Sequence, residues 1–169
     1  MKLIFCISLF LMLTSCWPSS VSFKDAGSMP IEWKSFHVKT LEVNAPNCPL
    51  FYGAQLTEKI KDGVQNNTRL SLATKLTDAE VQIEGEILNY QVSPIAIQNG
   101  DNASKNRLSL TVQFTINSTK PTEEKLTLTS SRFEDFEATT NLSSIENQLL
   151  ENITEQIIQD LINKLMSNW

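Results

Sequence analysis

Cysteine, histidine and glycine are all scarce in this chain of 169 residues. Three cysteines and one histidine nearly rule out a closed Cys/His zinc site, and the five glycines form no phosphate-binding loop motif. Lysine and arginine total 14 against 19 acidic residues, which gives a net charge of −5 without a basic run. That balance argues against nucleic-acid binding, which requires a clustered positive surface. We therefore expect no metal, no cofactor and no nucleic-acid partner.

The longest hydrophobic run lies near the amino terminus, at residues 3–13, directly after Lys2. A helix of that length covers roughly half of a ~30 Å hydrocarbon core, so the run predicts a signal peptide rather than a membrane span. The run ends in the sequence LTSC at residues 13–16, which resembles the bacterial lipobox. This pattern predicts cleavage before Cys16 and acylation of its thiol, with diacylglycerol and palmitate-type chains as a membrane anchor. An ordinary cleaved signal with a chance cysteine is the alternative.

This interpretation divides the chain into a lipoprotein signal peptide (1–15), an acylated cysteine with a tether (16–30) and one domain (31–169). Trp17 follows the acylated cysteine, where an Asp would favour retention in the inner membrane. We therefore expect the protein at the periplasmic face of the outer membrane. Cys48 is left as the single free thiol, so no intrachain disulfide is expected and a hydrophobic core must hold the domain together.

Hydrophobic periodicity predicts five strands and two helices. Apolar and polar residues alternate at 80–97 and 107–116, as in half-buried strands, whereas apolar residues recur every four positions at 145–165, as in an amphipathic helix. The predicted order β-α-β-β-β-β-α has strands at 31–43, 70–72, 80–97, 107–116 and 125–133, and helices at 50–64 and 145–165. The expected fold class is α+β: a two-layer sandwich with a mixed or antiparallel sheet of about four to five strands, backed by two helices.

Three local features of these elements can be predicted as well. Imperfect alternation at 31–43 places Ile31 and Trp33 on one face and predicts a bulge or kink near residues 34–35. Pro94 predicts a sheet edge or a bend, because proline cannot donate a ladder hydrogen bond. The sequence SSIE at 143–146 matches a capping box, which predicts the start of the last helix there.

Few residues are candidates for catalysis. Glu84 and Glu86 lie on one face of a predicted strand about 7 Å apart, within the carboxylate separation of an inverting glycosidase, although solvated polar strand faces are common. His37 has no triad motif around it, and Cys48 has no helix start or basic neighbour to lower its pKa. Solvated positions are favoured for the two glutamates, a surface or core position for His37, and a structural or incidental role for Cys48.

Two charged groups could bind ions. The acidic residues at 134, 135 and 137, interleaved with Phe133 and Phe136, could hold a cation, but a packed strand end is favoured. Lys105 and Arg107 begin a predicted strand beside an Asn-Gly turn and could bind a phosphate or an anionic lipid headgroup through charge-assisted hydrogen bonds. A solvated turn is the simpler interpretation of that pair.

Several segments behind the lipobox resemble one family when they are taken together and in order. They are GEILNYQVSPIAI (85–97), NRLSLTV (106–112), SRFEDF (131–136), LSSIE (142–146) and QIIQDLIN (156–163). This series is similar to the LptE family of lipopolysaccharide-assembly lipoproteins, in the form found in Bacteroidota. The resemblance is strongest over 80–117 and 131–169.

The resemblance implies a non-enzymatic protein whose sheet is backed by two helices. It implies a plug and folding partner for a large outer-membrane β-barrel translocon protein (LptD-like), and binding of lipopolysaccharide through basic side chains. In this sequence Lys105 and Arg107 are the residues to test. The alternatives are a free-standing periplasmic lipoprotein that binds a small or lipid ligand, and a hydrolase that uses Glu84 and Glu86.

Overall fold

The structure is a computed structural model that describes residues 29–95 and 105–167. The predicted signal peptide, the lipidation site Cys16 and most of the predicted tether lie outside the described residues. The elements in chain order are β1 (Ser35–Val38), β2 (Glu42–Val43), α1 (Leu50–Asn67), β3 (Ser71–Leu72), a 3₁₀ turn (Leu76–Asp78), β4 (Val81–Ile95), β5 (Lys105–Ser118), β6 (Glu124–Glu137) and α2 (Leu142–Met166).

The strands form a mixed sheet in the order β3-β1-β4-β5-β6, with β2 also paired to β4. The short strands β1 and β2 run parallel to β4, and β3 runs parallel to β1. The long strands β4, β5 and β6 form an antiparallel meander. The predicted α+β class, with an open mixed sheet and two helices, is therefore confirmed. The segment predicted as one strand at 31–43 contains two short strands, because residues 39–41 leave the sheet between them.

Both helices contribute to one core with the apolar face of the sheet, called the inner face below. The predicted alternation holds in β4 and β5, where Ile83, Ile87, Leu110 and Phe114 are fully buried. The α2 residues that recur every four positions are buried too: Leu149, Ile153, Ile157, Leu161 and Leu165. Burial of these side chains is the main favourable term in folding, at roughly 25 cal/mol per Å² of apolar surface. The opposite, outer face of the sheet is polar.

The predicted pairing of Ile31 with Trp33 on one face is wrong. Ile31 lies in a turn and is 79% exposed, whereas Trp33 is 1% exposed. The Trp33 indole N–H donates to the carbonyl of Lys120, 2.6 Å away, and so joins the segment before β1 to the turn between β5 and β6. The strand begins only at Ser35, so the alternation inferred before that residue belongs to a turn.

A β-bulge occurs between Ile87 and Asn89, not near residues 34–35. Ile87 pairs with Val112 and Asn89 pairs with Thr111, so Leu88 is the extra residue in β4. The bulge changes the alternation so that Tyr90, opposite Leu110, also faces the inner side.

Pro94 lies in the part of β4 beyond β2, where β5 is the only paired neighbour among the described residues. The expectation of a sheet edge at Pro94 is confirmed. A proline is accepted there because its missing N–H would have faced away from the ladder or into solvent.

The predicted capping box at 143–146 is wrong. The helix begins at Leu142, and the side chain of Asn141 caps it by accepting a hydrogen bond of 3.1 Å from the Ser143 N–H. Asn is as good an N-cap as Ser, because its side-chain oxygen reaches the free amides of the first turn. Glu146 instead accepts a hydrogen bond from the Tyr90 hydroxyl. Neither this helix nor α1 has the length and hydrophobicity that crossing a membrane would require.

Candidate functional site

Lys105 and Arg107, the predicted lipopolysaccharide-binding residues, lie two residues apart at the start of β5. Antiparallel pairing places Lys105 opposite Glu137 and Arg107 opposite Asp135 in β6. The Lys105 Nζ is 3.9 Å from a Glu137 carboxylate oxygen, and both side chains are about half exposed. The structure therefore gives each of these cations a carboxylate partner within the chain.

Arg107 makes the stronger of the two ion pairs. Its Nε and one terminal nitrogen donate to the two oxygens of Asp135 at 2.7 and 2.9 Å. The guanidinium also stacks 3.6 Å from the ring centroid of Phe133, a cation–π contact. The hydrogen bonds from Arg107 lower the pKa of Asp135. An anion that binds here would meet a guanidinium already oriented by a carboxylate and a ring, with Lys105 beside it.

The outer face of the sheet around this pair is rich in hydroxyl and amide groups. In β5 it carries Ser109, Thr111, Gln113 and Thr115, and in β6 it carries Thr127, Thr129 and Ser131. The hydroxyls of Thr111 and Ser131 are 3.0 Å apart and hydrogen-bonded. No helix of the described chain packs over this face. Such a face can hydrogen-bond to water or to another polar surface without desolvating charges.

Glu84 and Glu86 also lie on the outer face, in β4. The Asn44 side chain donates to Glu86 at 3.3 Å, and both carboxylates border a small polar cavity of about 40 Å³. That volume holds only a few water molecules.

The remaining candidates have structural surroundings. His37 Nδ1 lies 3.0 Å from the carbonyl oxygen of Ala73, so its ring connects β1 to the residue that follows β3. Burial, followed by the charge of Glu146, raises the pKa of the Cys48 thiol to about 11. In the acidic group at 134–137, Glu134 accepts a hydrogen bond from Gln156, and Asp135 accepts its hydrogen bonds from Arg107. Within residues 29–95 and 105–167, no three His, Cys, Asp or Glu side chains converge on a possible metal position.

Sequence reasoning missed a polar cluster that joins β6 to α2. Asp160 accepts hydrogen bonds from the Ser130 hydroxyl at 2.5 Å and from the Arg132 Nε at 2.8 Å. Burial raises the pKa of Asp160, but the hydrogen bonds from Arg132 and Ser130 outweigh it, so the pKa lies below its ordinary value. Arg132 lies on the same face of β6 as the inward residues Leu126 and Leu128. A charged residue at a position where the alternation predicts an apolar one is the sequence signal that could have revealed this cluster.

A family model described as LptE, lipopolysaccharide-assembly, matches residues 38–165. The chain belongs to this family. The match extends from the last residue of β1 to the last turn of α2, so it includes the other five strands and the Lys105–Arg107 pair. No curated protein sequence matches this LptE family member significantly.

Solved structures extend the comparison of the fold. A hypothetical protein from Chlamydia trachomatis is similar with a TM-score of 0.57 at 10% identity, over 80% of this chain and 99% of that one. An uncharacterised lipoprotein B from Nitrosomonas europaea is similar with a TM-score of 0.51 at 14% identity, over 82% of this chain and 84% of that one. At these identities the likeness establishes a shared fold.

Proposed function

We propose that this LptE family member is a non-enzymatic lipoprotein subunit of the outer-membrane lipopolysaccharide export and assembly translocon. It acts there as the plug and folding partner of a large LptD-like β-barrel. The observation that carries the proposal is the family match over residues 38–165. The hydroxyl- and amide-rich outer face supports it, because a plug in a water-filled barrel needs polar surfaces that remain hydrogen-bonded.

The anchor in this proposal is acylated Cys16, which holds the protein at the periplasmic face of the outer membrane. Two or three acyl chains give stable attachment, whereas one chain gives only marginal binding. Cys16→Ala is expected to release the protein from membranes and to remove the lipid mass from the mature chain. Cys48→Ala is the matched control and is expected to stay attached. Membrane fractionation and intact mass measurement distinguish the two variants, and attachment of Cys16→Ala would overturn this part of the proposal.

Direct lipopolysaccharide binding at Lys105 and Arg107 is the second part. The anionic phosphates would share Arg107 with Asp135 and add Lys105 as a second donor. We expect Lys105→Ala with Arg107→Ala to weaken binding of purified lipopolysaccharide by about tenfold or more, because two charge-assisted contacts are lost. The control is Lys39→Ala with Lys61→Ala, which removes equal charge from lysines that are ion-paired to Glu42 and Glu58 elsewhere on the surface. Equal weakening in both would mean that only net charge matters.

The decisive test is affinity purification of the tagged, acylated protein from detergent-solubilised outer membranes, followed by mass spectrometry. The proposal predicts one large β-barrel protein at near one-to-one stoichiometry. Recovery of the lipoprotein alone under mild detergent would contradict it. A free-standing lipoprotein that binds a small or lipid ligand would then be the better explanation.

A further inference from the structure

The last strand of the sheet has a long edge to which no other described strand is paired. β6 pairs one-to-one with β5 from Lys105–Glu137 to Ser118–Glu124, and it ends the strand order on that side. In an antiparallel ladder alternate residues direct their N–H and C=O groups away from the paired strand, so about seven residues of β6 present free backbone groups. At ~3.4 Å per residue this edge is about 45 Å long.

Among the described residues, other strand segments also lack a neighbour on one side, and each is short, like the two-residue β2, or otherwise protected. The opposite end of the sheet is β3, which contains only two residues, Ser71–Leu72. The part of β4 beyond Ile87 carries both the bulge and Pro94. Short edge strands, bulges and edge prolines are the usual devices that prevent pairing with another chain.

β6 carries none of these devices. It has 14 residues, no proline and a continuous register, and it has no charged residue from Leu126 to Ser131. The charged residues of β6 lie toward its two ends, Glu124 and Lys125 at one end and four residues between 132 and 137 at the other. In the second group Arg132 is hydrogen-bonded to Asp160, Glu134 to Gln156 and Asp135 to Arg107, and Glu137 lies 3.9 Å from Lys105. The fold thus protects its other open edges and leaves residues 126–131 of this one able to pair.

The space beside β6 suits one extended segment. Residues 128–132 of β6 and the last turns of α2 border an open cleft of about 620 Å³, which includes Asn163, Lys164 and Ser167. The lining is mostly hydroxyl and amide groups, and its charged side chains are the mutually hydrogen-bonded Arg132 and Asp160 together with Lys164. An uncharged polar segment therefore matches it better than a basic one.

A second copy of this chain is a less favourable occupant of this edge than a single strand. The hydrogen bonds from Ser130 and Arg132 to Asp160 hold α2 over β6. Edge-to-edge antiparallel pairing of two copies would bring two such helices onto the same face of one sheet beside the paired edges, whereas a single strand brings no covering helix.

We propose that β6 binds an extended, uncharged polar segment of the β-barrel partner as an additional strand of the sheet. This inference rests on the proposed function, since it identifies the surface through which that partner is held. Backbone hydrogen bonds supply the affinity in this mode of binding, and side chains on the two faces supply the specificity.

The test places lysines on the edge strand and, as a control, on its inner neighbour. Thr127→Lys with Thr129→Lys adds to this edge the lysines that commonly prevent an edge strand from pairing with another chain. The control, Thr115→Lys with Gln113→Lys, puts the same charges on the same face directly opposite those positions, one strand inward. Both tagged, acylated proteins are purified from solubilised outer membranes, and folding is checked by circular dichroism and thermal unfolding. We expect the edge variant to recover about tenfold less barrel protein, because lysines on an edge oppose strand pairing, and the control to recover nearly the wild-type amount.

Each result has one meaning. Normal recovery by the edge variant, or equal loss in both variants, would overturn strand addition while leaving the translocon subunit in place. Absence of a barrel protein from the wild-type purification would overturn the proposed function itself. Residue-resolved hydrogen exchange on the wild-type complex gives an independent readout. Strand addition predicts that alternate amides of β6 exchange about tenfold more slowly in the complex, since those are the amides that point away from β5.

Discussion

The hydroxyl of Tyr52 on α1 lies 2.7 Å from the hydroxyl of Thr154 on α2, and both side chains are buried. Burial raises the pKa of Tyr52 to about 12, so the phenol stays protonated and the pair remains a neutral hydrogen bond. Gly63 of α1 also lies directly against Ile158 of α2, so the helices approach closely along one side. The two helices are thus joined to each other as well as to the sheet.

Tyr52→Phe is predicted to lower the free energy of unfolding by about 1–2 kcal/mol, because it leaves the buried Thr154 hydroxyl without its partner. Urea denaturation measures the change. Tyr52→Phe combined with Thr154→Val removes both polar groups, and it is expected to cost little more than the first substitution alone. Additive losses in the double variant would show that the hydrogen bond between the helices is not the source of the effect.

Gly53→Ala is predicted to destabilise the fold although alanine is the better helix former. A Cβ at position 53 would lie 2.7 Å from the backbone oxygen of Leu41 and 2.8 Å from a methyl group of Val43. Overpacking of this kind costs about 1–3 kcal/mol, which exceeds the gain in helix propensity of about 1 kcal/mol. Thermal unfolding is expected to show a lower Tm.

Gly63→Ala is the matched control, since Gly63 lies in the same helix. Its Cβ would meet side-chain atoms of Ile158 alone, the γ2 methyl at 2.5 Å, with no backbone oxygen in the way as there is at Gly53. Because Ile158 is stiff at χ1, relief requires a small shift between the two helices. We expect a smaller loss than at Gly53. A larger loss of stability for Gly63→Ala would mean that the connection between β1 and β2 adjusts to an added methyl group more easily than the interface between the helices does.

Glu80 is predicted to make stability depend on acid pH. Its carboxylate accepts hydrogen bonds from the Ser35 hydroxyl at 2.6 Å and the Ser35 and Lys34 amides, and these lower its pKa from 4.5 to about 2. A pKa lower in the folded state contributes stability above the unfolded value. That contribution is lost as pH falls from about 5 toward 2.

Glu80→Gln is therefore expected to be less stable than wild type at neutral pH, with the difference shrinking over that acid range. Urea denaturation at a series of pH values checks this. Glu84→Gln, four residues further along the chain, is the control, because Glu84 makes no hydrogen bond with the described residues. A constant difference for Glu80→Gln down to pH about 2 would contradict the prediction.

Cys48 is predicted to be unreactive in the native protein. Raising the pKa of the thiol from 9.0 to about 11 lowers the thiolate fraction about a hundredfold, and burial also excludes the reagent. Alkylation of the mature acylated protein, followed by mass spectrometry, is expected to be slow until urea unfolds the chain. Equal rates in the native and unfolded states would place the thiol at the surface.

Local periodicity predicts most of this fold because the patterns in β4, β5 and α2 are long and each faces a single core. Ile83 and Ile153, for example, follow directly from spacing. The features that periodicity misses depend on distant partners. Trp33 is buried by the turn at Lys120, 87 positions away in the sequence, and Arg132 is held on the inner face by Asp160.

The candidate site, too, is predicted by the local sequence only in part. The sequence places Lys105 and Arg107 together at the start of a strand, and the structure confirms that placement. Their pairing with Glu137 and Asp135 could not be read from spacing alone, because it requires the register of β5 against β6. The free edge of β6 is a property of strand order, which has no local signature in the sequence.

The bulge at Leu88 also bears on how this chain can vary in length. β4 has 15 residues where its partner β5 has 14. Removing Leu88 would restore regular alternation, with Ile87 and Tyr90 still facing the core. A deletion elsewhere in β4 would turn every later side chain to the wrong face. Relatives of this protein are therefore expected to gain or lose a residue in this strand at Leu88, where the change leaves the core in register.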